Sequence, residues 1–135
     1  MFKFNIKYFI PAFLLFWVEV YIDLYVHDAF IRPSVGDFLV VIWLYCCFKS
    51  FLNTQPLATA LVTLLIAYVI EISQYFHFIY AMGWGDSHLA RAIFGTTFQW
   101  SDLFMYSLGI LLVIEIERLR LKRSINKMYT KTPLK

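Results

Sequence analysis

The chain has 135 residues, of which 61% are hydrophobic and 16% are charged, and its mean hydropathy is +0.66. Soluble domains have roughly 45–50% apolar and about 25% charged residues. A chain of this length could not cover so much apolar surface in water, so composition excludes a soluble globular protein and predicts an integral membrane protein with one domain over residues 1–135. The net charge of +3 says little as a total, whereas the distribution of the charges is informative.

Four hydrophobic stretches predict an all-α integral membrane fold with four transmembrane helices. They cover approximately residues 8–26, 38–52, 57–80 and 100–116. A spanning helix needs about 20 mostly apolar residues, with a range of about 17–25. The second stretch is short and reaches this length only if Gly36, Asp37 and Asn53 lie at its interfaces. We expect no cleaved signal peptide, because Glu19 and Asp23 interrupt the first stretch and no small-x-small cleavage site follows it.

Helix-breaking residues separate the predicted spans. They are Arg32-Pro33 before the second, Gln55-Pro56 before the third and Gly83-Trp84-Gly85 after it.

The segment between spans three and four predicts a short interfacial or re-entrant helix on the outer side. Asp86 or Ser87 could cap its start and Gly95 could end it. Leu89, Ile93 and Phe94 would form its apolar stripe.

The distribution of lysine and arginine predicts the orientation. Ten of the twelve fall on the side that carries both termini, in the segment before span one, the loop after span two and a basic tail over about residues 118–135. Only Arg32 and Arg91 fall on the other side. Because cytoplasmic loops carry the excess of positive charge, we expect a multi-pass cell-membrane protein with both termini in the cytoplasm. The tail then contacts anionic lipid headgroups, and no nucleic-acid partner is expected.

Most of the carboxylates fall on the opposite, outer side. Seven of the nine do so: Glu19, Asp23, Asp28, Asp37, Glu71, Asp86 and Asp102. A carboxylate within hydrocarbon costs several kcal/mol unless it is paired, hydrogen-bonded or hydrated. Their gathering on one side predicts a polar pocket that opens outward.

Several of these acids have a structural interpretation beside the functional one. Glu19 and Asp23 are four residues apart on one helical face, where they could share a cation or an arginine, or Asp23 could simply be hydrated at the interface. Asp37 could bond Arg32 or favour the start of its helix, where negative charge is stabilised.

The later spans supply the remaining candidates. Glu71 and Gln74 share one face of span three, and Glu71 lies within hydrocarbon, where it could bond Arg91 or serve a ligand. Asp102, Tyr106 and Gly109 form one stripe in span four, in which Gly109 would let another helix approach closely. The predicted ligand-binding residues are therefore Glu71, Gln74, Arg91, Asp102, Tyr106, Arg32 and Asp37. No metal-ligand spacing is present, and no cofactor is expected.

Three motifs resemble a family of small bacterial membrane proteins known only as a domain of unknown function. They are Arg32-Pro33-x-x-Gly36-Asp37, Glu71-x-x-Gln74 and Arg91-x-x-x-Gly95-Thr96-Thr97-Phe98-x-Trp100-x-Asp102-x-x-x-Tyr106-x-x-Gly109. The resemblance covers about residues 8–117. Some members carry a name that refers to ribosome maturation, which a four-span membrane protein does not support physically.

The second half also resembles, more distantly, the VanZ-like family. Glu71 and Gln74 match that family's E-x-x-Q element, Arg91 its outer-loop arginine, and Asp102 and Gly109 its D-x-x-x-N-x-x-G element. The chain departs from the VanZ-like pattern at Tyr106, where that family prefers asparagine. Its loop from Arg91 to Asp102 is also longer than the corresponding loop of that family. VanZ-like proteins are linked to low-level resistance to teicoplanin, so the resemblance implies a context in the bacterial envelope.

These observations favour a membrane protein whose outward pocket binds a cell-envelope precursor or a phosphate-bearing lipid, with membrane lipids as its partners. Arginine would meet phosphate, and the carboxylates would orient the arginines or bind the headgroup. Two alternatives stay open. In one, a carboxylate acts as general base in a metal-assisted phosphohydrolase or transferase. In the other, the charges form a purely structural network that fixes helix packing.

Overall fold

The computed structural model describes residues 2–28, 31–94 and 97–131, with side chains for all of these except residues 31, 92–94 and 131. Six helices lie within these ranges: α1 (Ile6–Tyr25), α2 (Ile31–Phe51), α3 (Pro56–Tyr75), α4 (Phe78–Ala81), α5 (His88–Phe94) and α6 (Trp100–Lys131). They confirm the predicted all-α class.

Three of the helices are long and apolar enough to cross a membrane: α1, residues Arg32–Phe51 of α2, and α3, each over 20 residues. Ala12 is the only buried residue of α1 within the described chain, whereas Phe13, Leu14 and Trp17 are each more than half exposed. Soluble proteins rarely expose contiguous apolar surface of this extent. Exposed apolar side chains of this kind are typical of a helix in a membrane protein.

The second helix begins earlier than the sequence predicted. Arg32 and Pro33 belong to the first turn of α2 rather than to a break before it. Proline is tolerated in a first turn because the N–H that it lacks would have no partner within the helix. By contrast, Pro56 starts α3 directly after Gln55, as predicted.

The predicted third span is interrupted before its end. Helix α3 stops at Tyr75, and His77 adopts a left-handed conformation with φ +52° before the single turn of α4. A chain reversal follows at Gly83, whose φ of +74° favours glycine. The apolar residues 78–80 therefore lie outside α3, although their composition matches it.

The predicted short helix between spans three and four is present as α5, which contacts α3 and α4. Its interfacial or re-entrant placement stays a prediction. The hydroxyl of Ser87 accepts the backbone N–H of Ala90 at 3.3 Å, as an N-cap residue does. The predicted stop at Gly95 and the predicted stripe positions Ile93 and Phe94 lie outside the described residues and side chains.

Helix α2 lies at the centre of the bundle and contacts α1, α3 and α6. Helices α1 and α3 run antiparallel to α2, while α6 runs parallel to it. The predicted close approach at Gly109 is confirmed, because a Cβ there would lie 2.7 Å from the carbonyl oxygen of Phe38 and closer still to Val41. The core around this crossing consists of apolar side chains such as Val41, Tyr45 and Ile110, each at most 2% exposed.

Polar residues concentrate at the two ends of the bundle. We call the end that holds Asp37, Glu71 and Asp102 the acidic end, and the end that holds Lys7 and Lys49 the basic end.

Helix α6 connects the two ends and extends beyond the predicted span of residues 100–116. Near its start the hydroxyl of Tyr106 contacts Asp37 and Glu71, and near its middle Glu117 accepts the hydroxyl of Tyr8 at 2.9 Å. The helix then continues to Lys131. Residues 118–131 of the predicted basic tail are therefore helical, and two i,i+3 ion pairs, Arg118–Glu115 and Arg120–Glu117, lie on this stretch.

Candidate functional site

A cavity of about 380 Å³ opens at the acidic end, between α1, α2, α3 and α6. Six polar or charged side chains line it: Glu19, Asp23, Arg32, Asp37, Gln74 and Tyr106. Four of the seven predicted binding residues, namely Arg32, Asp37, Gln74 and Tyr106, are among them. We call this space the acidic cavity, because its lining contains three carboxylates and one arginine.

An exposed ion pair stands at the mouth of the acidic cavity. The guanidinium Nη2 of Arg32 contacts Oδ1 of Asp23, and the two side chains are 48% and 67% exposed. Arg32 thus pairs with Asp23 rather than with the neighbouring Asp37. Exposed ion pairs are typically worth 0–1 kcal/mol, so a ligand could compete for either partner at little cost.

Glu19 projects into the acidic cavity one helical turn before Asp23. Its Oε1 is buried and has no hydrogen-bond partner within the described part of the chain. Its Oε2 would lie 3.6 Å from a Cβ placed on Gly36, so the small residue on α2 leaves room beside the carboxylate. A buried acceptor without a partner costs about 1–3 kcal/mol, and more when it is charged. This oxygen is therefore positioned to accept a hydrogen bond from a bound molecule.

A second layer of acids lies against the cavity, toward the interior of the bundle. Glu71 is 1% exposed and Asp102 is 8% exposed. The carboxyl group of Asp102 interacts with those of both Asp37 and Glu71. Carboxyl groups this close repel one another unless they share a proton or a counter-charge.

The hydroxyl of Tyr106 joins the two layers. It lies 3.2 Å from Oδ1 of Asp37 and 3.4 Å from Oε2 of Glu71, so its single proton can serve only one of them at a time. The phenol thus reaches from α6 to both α2 and α3.

Glu71 also has a structural contact of its own. Its Oε1 accepts the backbone N–H of Gln99 at 2.9 Å, directly before α6 begins. One turn deeper, the hydroxyls of Tyr68 and Ser107 lie 2.6 Å apart, also between α3 and α6. These contacts fix the start of α6 against α3, as the structural interpretation of Glu71 requires.

Arg91 is a predicted binding residue that does not join the acidic cavity. It belongs to α5, is partly exposed, and is not among the residues that line the acidic cavity. No ion pair between Arg91 and a described carboxylate occurs. A role for Arg91 in ligand binding therefore stays a prediction.

The cavity also contains Glu19, Asp23 and Gly36, which are outside the seven predicted binding residues, although Glu19 and Asp23 belong to the acids that predicted the pocket. Glu19 and Gly36 lie in different helices, and no motif links them. The i,i+4 spacing of Glu19 and Asp23 was the available signal, but it does not reveal which neighbouring helix they face.

Within residues 2–28, 31–94 and 97–131, no group of three or more His, Cys, Asp or Glu side chains is arranged to hold a metal ion.

A family model described as a protein of unknown function (DUF2809) matches residues 26–110, which is more than half of the 135 residues. The chain therefore belongs to this family, and the predicted resemblance to a domain of unknown function is confirmed. No solved structure matches the chain.

Proposed function

We propose that this member of a family of unknown function is a multi-pass membrane protein that binds a lipid-anchored ligand of the cell envelope in the acidic cavity. The ligand carries a group that donates hydrogen bonds, an amine or hydroxyls, next to a phosphate. The protein acts in this proposal as a binding or accessory protein.

The proposed membrane topology has four spans. Helices α1, α2 and α3 provide three of them, and the first half of α6 provides the fourth. From Asp102 at the acidic end to Glu117 at the basic end, α6 rises about 22 Å, most of the roughly 30 Å hydrocarbon thickness. Because positive charge favours the cytoplasmic side, the basic end lies in the cytoplasm and the acidic cavity opens outward, as the VanZ-like resemblance also implies.

The observation that carries the proposal is the unpartnered oxygen of Glu19. Buried polar atoms in native proteins almost always have a partner, and the acidic cavity gives access to this one. The carboxylates of Glu19 and Asp37 favour a cationic or hydroxyl-bearing group. At the mouth, the exposed guanidinium of Arg32 is placed to bind phosphate in bidentate fashion, which would release Asp23.

A structural role is the second candidate, and it is supported at Glu71. The bonds from Glu71 to Gln99 and Tyr106 fix helix packing. Oε1 of Glu19 has no such bond within the part of the chain that the structure describes. Ligand binding therefore predicts that a substitution of Glu19 lowers ligand retention and leaves stability unchanged. A purely structural network predicts a loss of stability without any bound ligand.

Native mass spectrometry of the detergent-purified protein tests the proposal. Wild type is compared with Glu19→Gln, which preserves shape and removes charge, and with Asp86→Asn, a matched control in the exposed turn before α5. We expect a bound mass in wild type and in Asp86→Asn, and its loss in Glu19→Gln. The fragmentation spectrum of the retained mass would identify the headgroup.

Stability is measured on the same samples. Glu19→Gln should unfold at the wild-type midpoint or above it, because the substitution removes a half-buried carboxylate whose Oε1 has no partner among the described residues. If Glu19→Gln retains every mass that wild type binds, or loses stability without any bound mass in wild type, the binding proposal is wrong and the structural candidate is favoured.

A further inference from the structure

A second polar cavity, of about 320 Å³, lies at the basic end between the start of α1 and the end of α2. Its polar lining side chains are Lys3, Asn5, Lys7, Lys49 and Asn53. No carboxylate of the described residues lines it, so three positive charges face a common space. We call it the lysine cavity.

Backbone hydrogen bonds hold the wall of the lysine cavity in place. The N–H of Lys3 donates to the carbonyl of Phe51 at 2.9 Å, and the N–H of Asn5 donates to that of Ser50 at 2.8 Å. The segment before α1 is thereby tied to the last turn of α2. The lysines are brought together by the fold and not by proximity in sequence alone.

Lys49 is the buried member of the set, at 7% exposure. Its ammonium donates to the carbonyl of Thr54 and lies 5.5 Å from the centre of the Tyr8 ring. It forms no ion pair with a carboxylate of the described residues. A buried cation without an anionic partner is costly, and an ammonium has three donors to satisfy.

We propose that the lysine cavity binds a phosphate group, supplied by an anionic phospholipid of the adjoining leaflet. Lysine is a common ligand of phosphate, and basic pockets between helices at the cytoplasmic side bind anionic headgroups. Aromatic side chains lie alongside: the ring centroids of Phe4 are 5.2 Å from Phe9 and 6.0 Å from Phe51. These exposed rings offer an apolar surface for the acyl chains of a phospholipid. Inorganic phosphate has no acyl chains, so this surface favours the phospholipid as the source of the phosphate group.

The test measures lipid binding to the full chain in detergent by native mass spectrometry. The probes are phosphatidylglycerol, zwitterionic phosphatidylcholine and inorganic phosphate. Because Lys49 is buried and its loss can unfold the protein, the variant is Lys3→Gln/Lys7→Gln, which changes exposed residues. The matched control, Lys122→Gln/Lys127→Gln, removes the same charge from the exposed end of α6.

We expect wild type and the control to prefer phosphatidylglycerol over phosphatidylcholine, and the Lys3/Lys7 variant to bind phosphatidylglycerol about 30-fold more weakly. Equal weakening by both double variants, or equal binding of the two lipids by wild type, would overturn the proposal. Inorganic phosphate distinguishes the two sources of the phosphate group. If inorganic phosphate fails to displace the lipid, a phospholipid ligand is supported. If inorganic phosphate displaces the lipid at an equal concentration, the phospholipid proposal is wrong and the site binds free phosphate.

Discussion

Replacing Gly109 by alanine tests the packing that positions the acidic cavity. The added Cβ would lie 2.7 Å from the carbonyl oxygen of Phe38, whereas ordinary contacts begin at 3.4 Å, so α6 must move from α2 by about 0.7 Å. The clash involves backbone, which cannot rotate away. Overpacking of this kind costs about 1–3 kcal/mol, while replacing a helical glycine with alanine returns about 0.5–1 kcal/mol. We expect a net loss of about 0–2.5 kcal/mol.

The matched control is Gly36→Ala. Among the described residues, a Cβ at Gly36 meets only Oε2 of Glu19, at 3.6 Å. This variant should gain about 0.5–1 kcal/mol from helix propensity alone. The free energy of unfolding of both variants is measured by titration with sodium dodecyl sulfate, followed by tryptophan fluorescence. If Gly109→Ala is as stable as Gly36→Ala, the close crossing of α2 and α6 is wrong.

Two further predictions concern the polar contacts along the bundle. Glu71→Ala should lower the free energy of unfolding by about 1–3 kcal/mol, because the N–H of Gln99 loses its acceptor. Glu71→Gln should lower it less, since one acceptor oxygen remains. The same titration measures both variants, and a wild-type value for Glu71→Ala would refute the structural role. Tyr8→Phe should lower the free energy of unfolding by about 1.5–3 kcal/mol, because it removes the hydrogen bond from Tyr8 to the Glu117 carboxylate. The control Tyr129→Phe, at a residue that is 78% exposed, should not change the unfolding midpoint. Equal effects of the two variants would contradict the contact between Tyr8 and Glu117.

The helices were predictable where hydropathy and helix formation coincide. At α6 they separate: hydropathy falls after Ile116, but glutamate, arginine, leucine and lysine continue to favour helix, and the helix runs to Lys131. At α3 the reverse occurs, since the apolar run continues beyond the helix end at Tyr75. Hydropathy indicates which residues tolerate lipid, and it does not record the left-handed conformation of His77 that ends the helical geometry.

The site was predictable within one helix and not between helices. The spacing of Asp102, Tyr106 and Gly109 correctly placed all three on one buried face of α6, because a stripe depends only on helical periodicity. The contact of Tyr106 with Asp37, and the placement of Glu19 beside Gly36, depend on how α1, α2 and α6 cross. Such crossings are set by side-chain packing over the whole interface, which no local motif encodes.

The most direct measurement is a crystal structure of the wild-type protein grown from a lipid mesophase doped with lipids of the source membrane. We expect non-protein density in the acidic cavity, with a donor atom about 2.7–3.2 Å from Oε1 of Glu19 and a phosphate facing Arg32. A cavity filled only by water, with Oε1 of Glu19 hydrated and the Arg32–Asp23 pair intact, would contradict ligand binding as the function of this site.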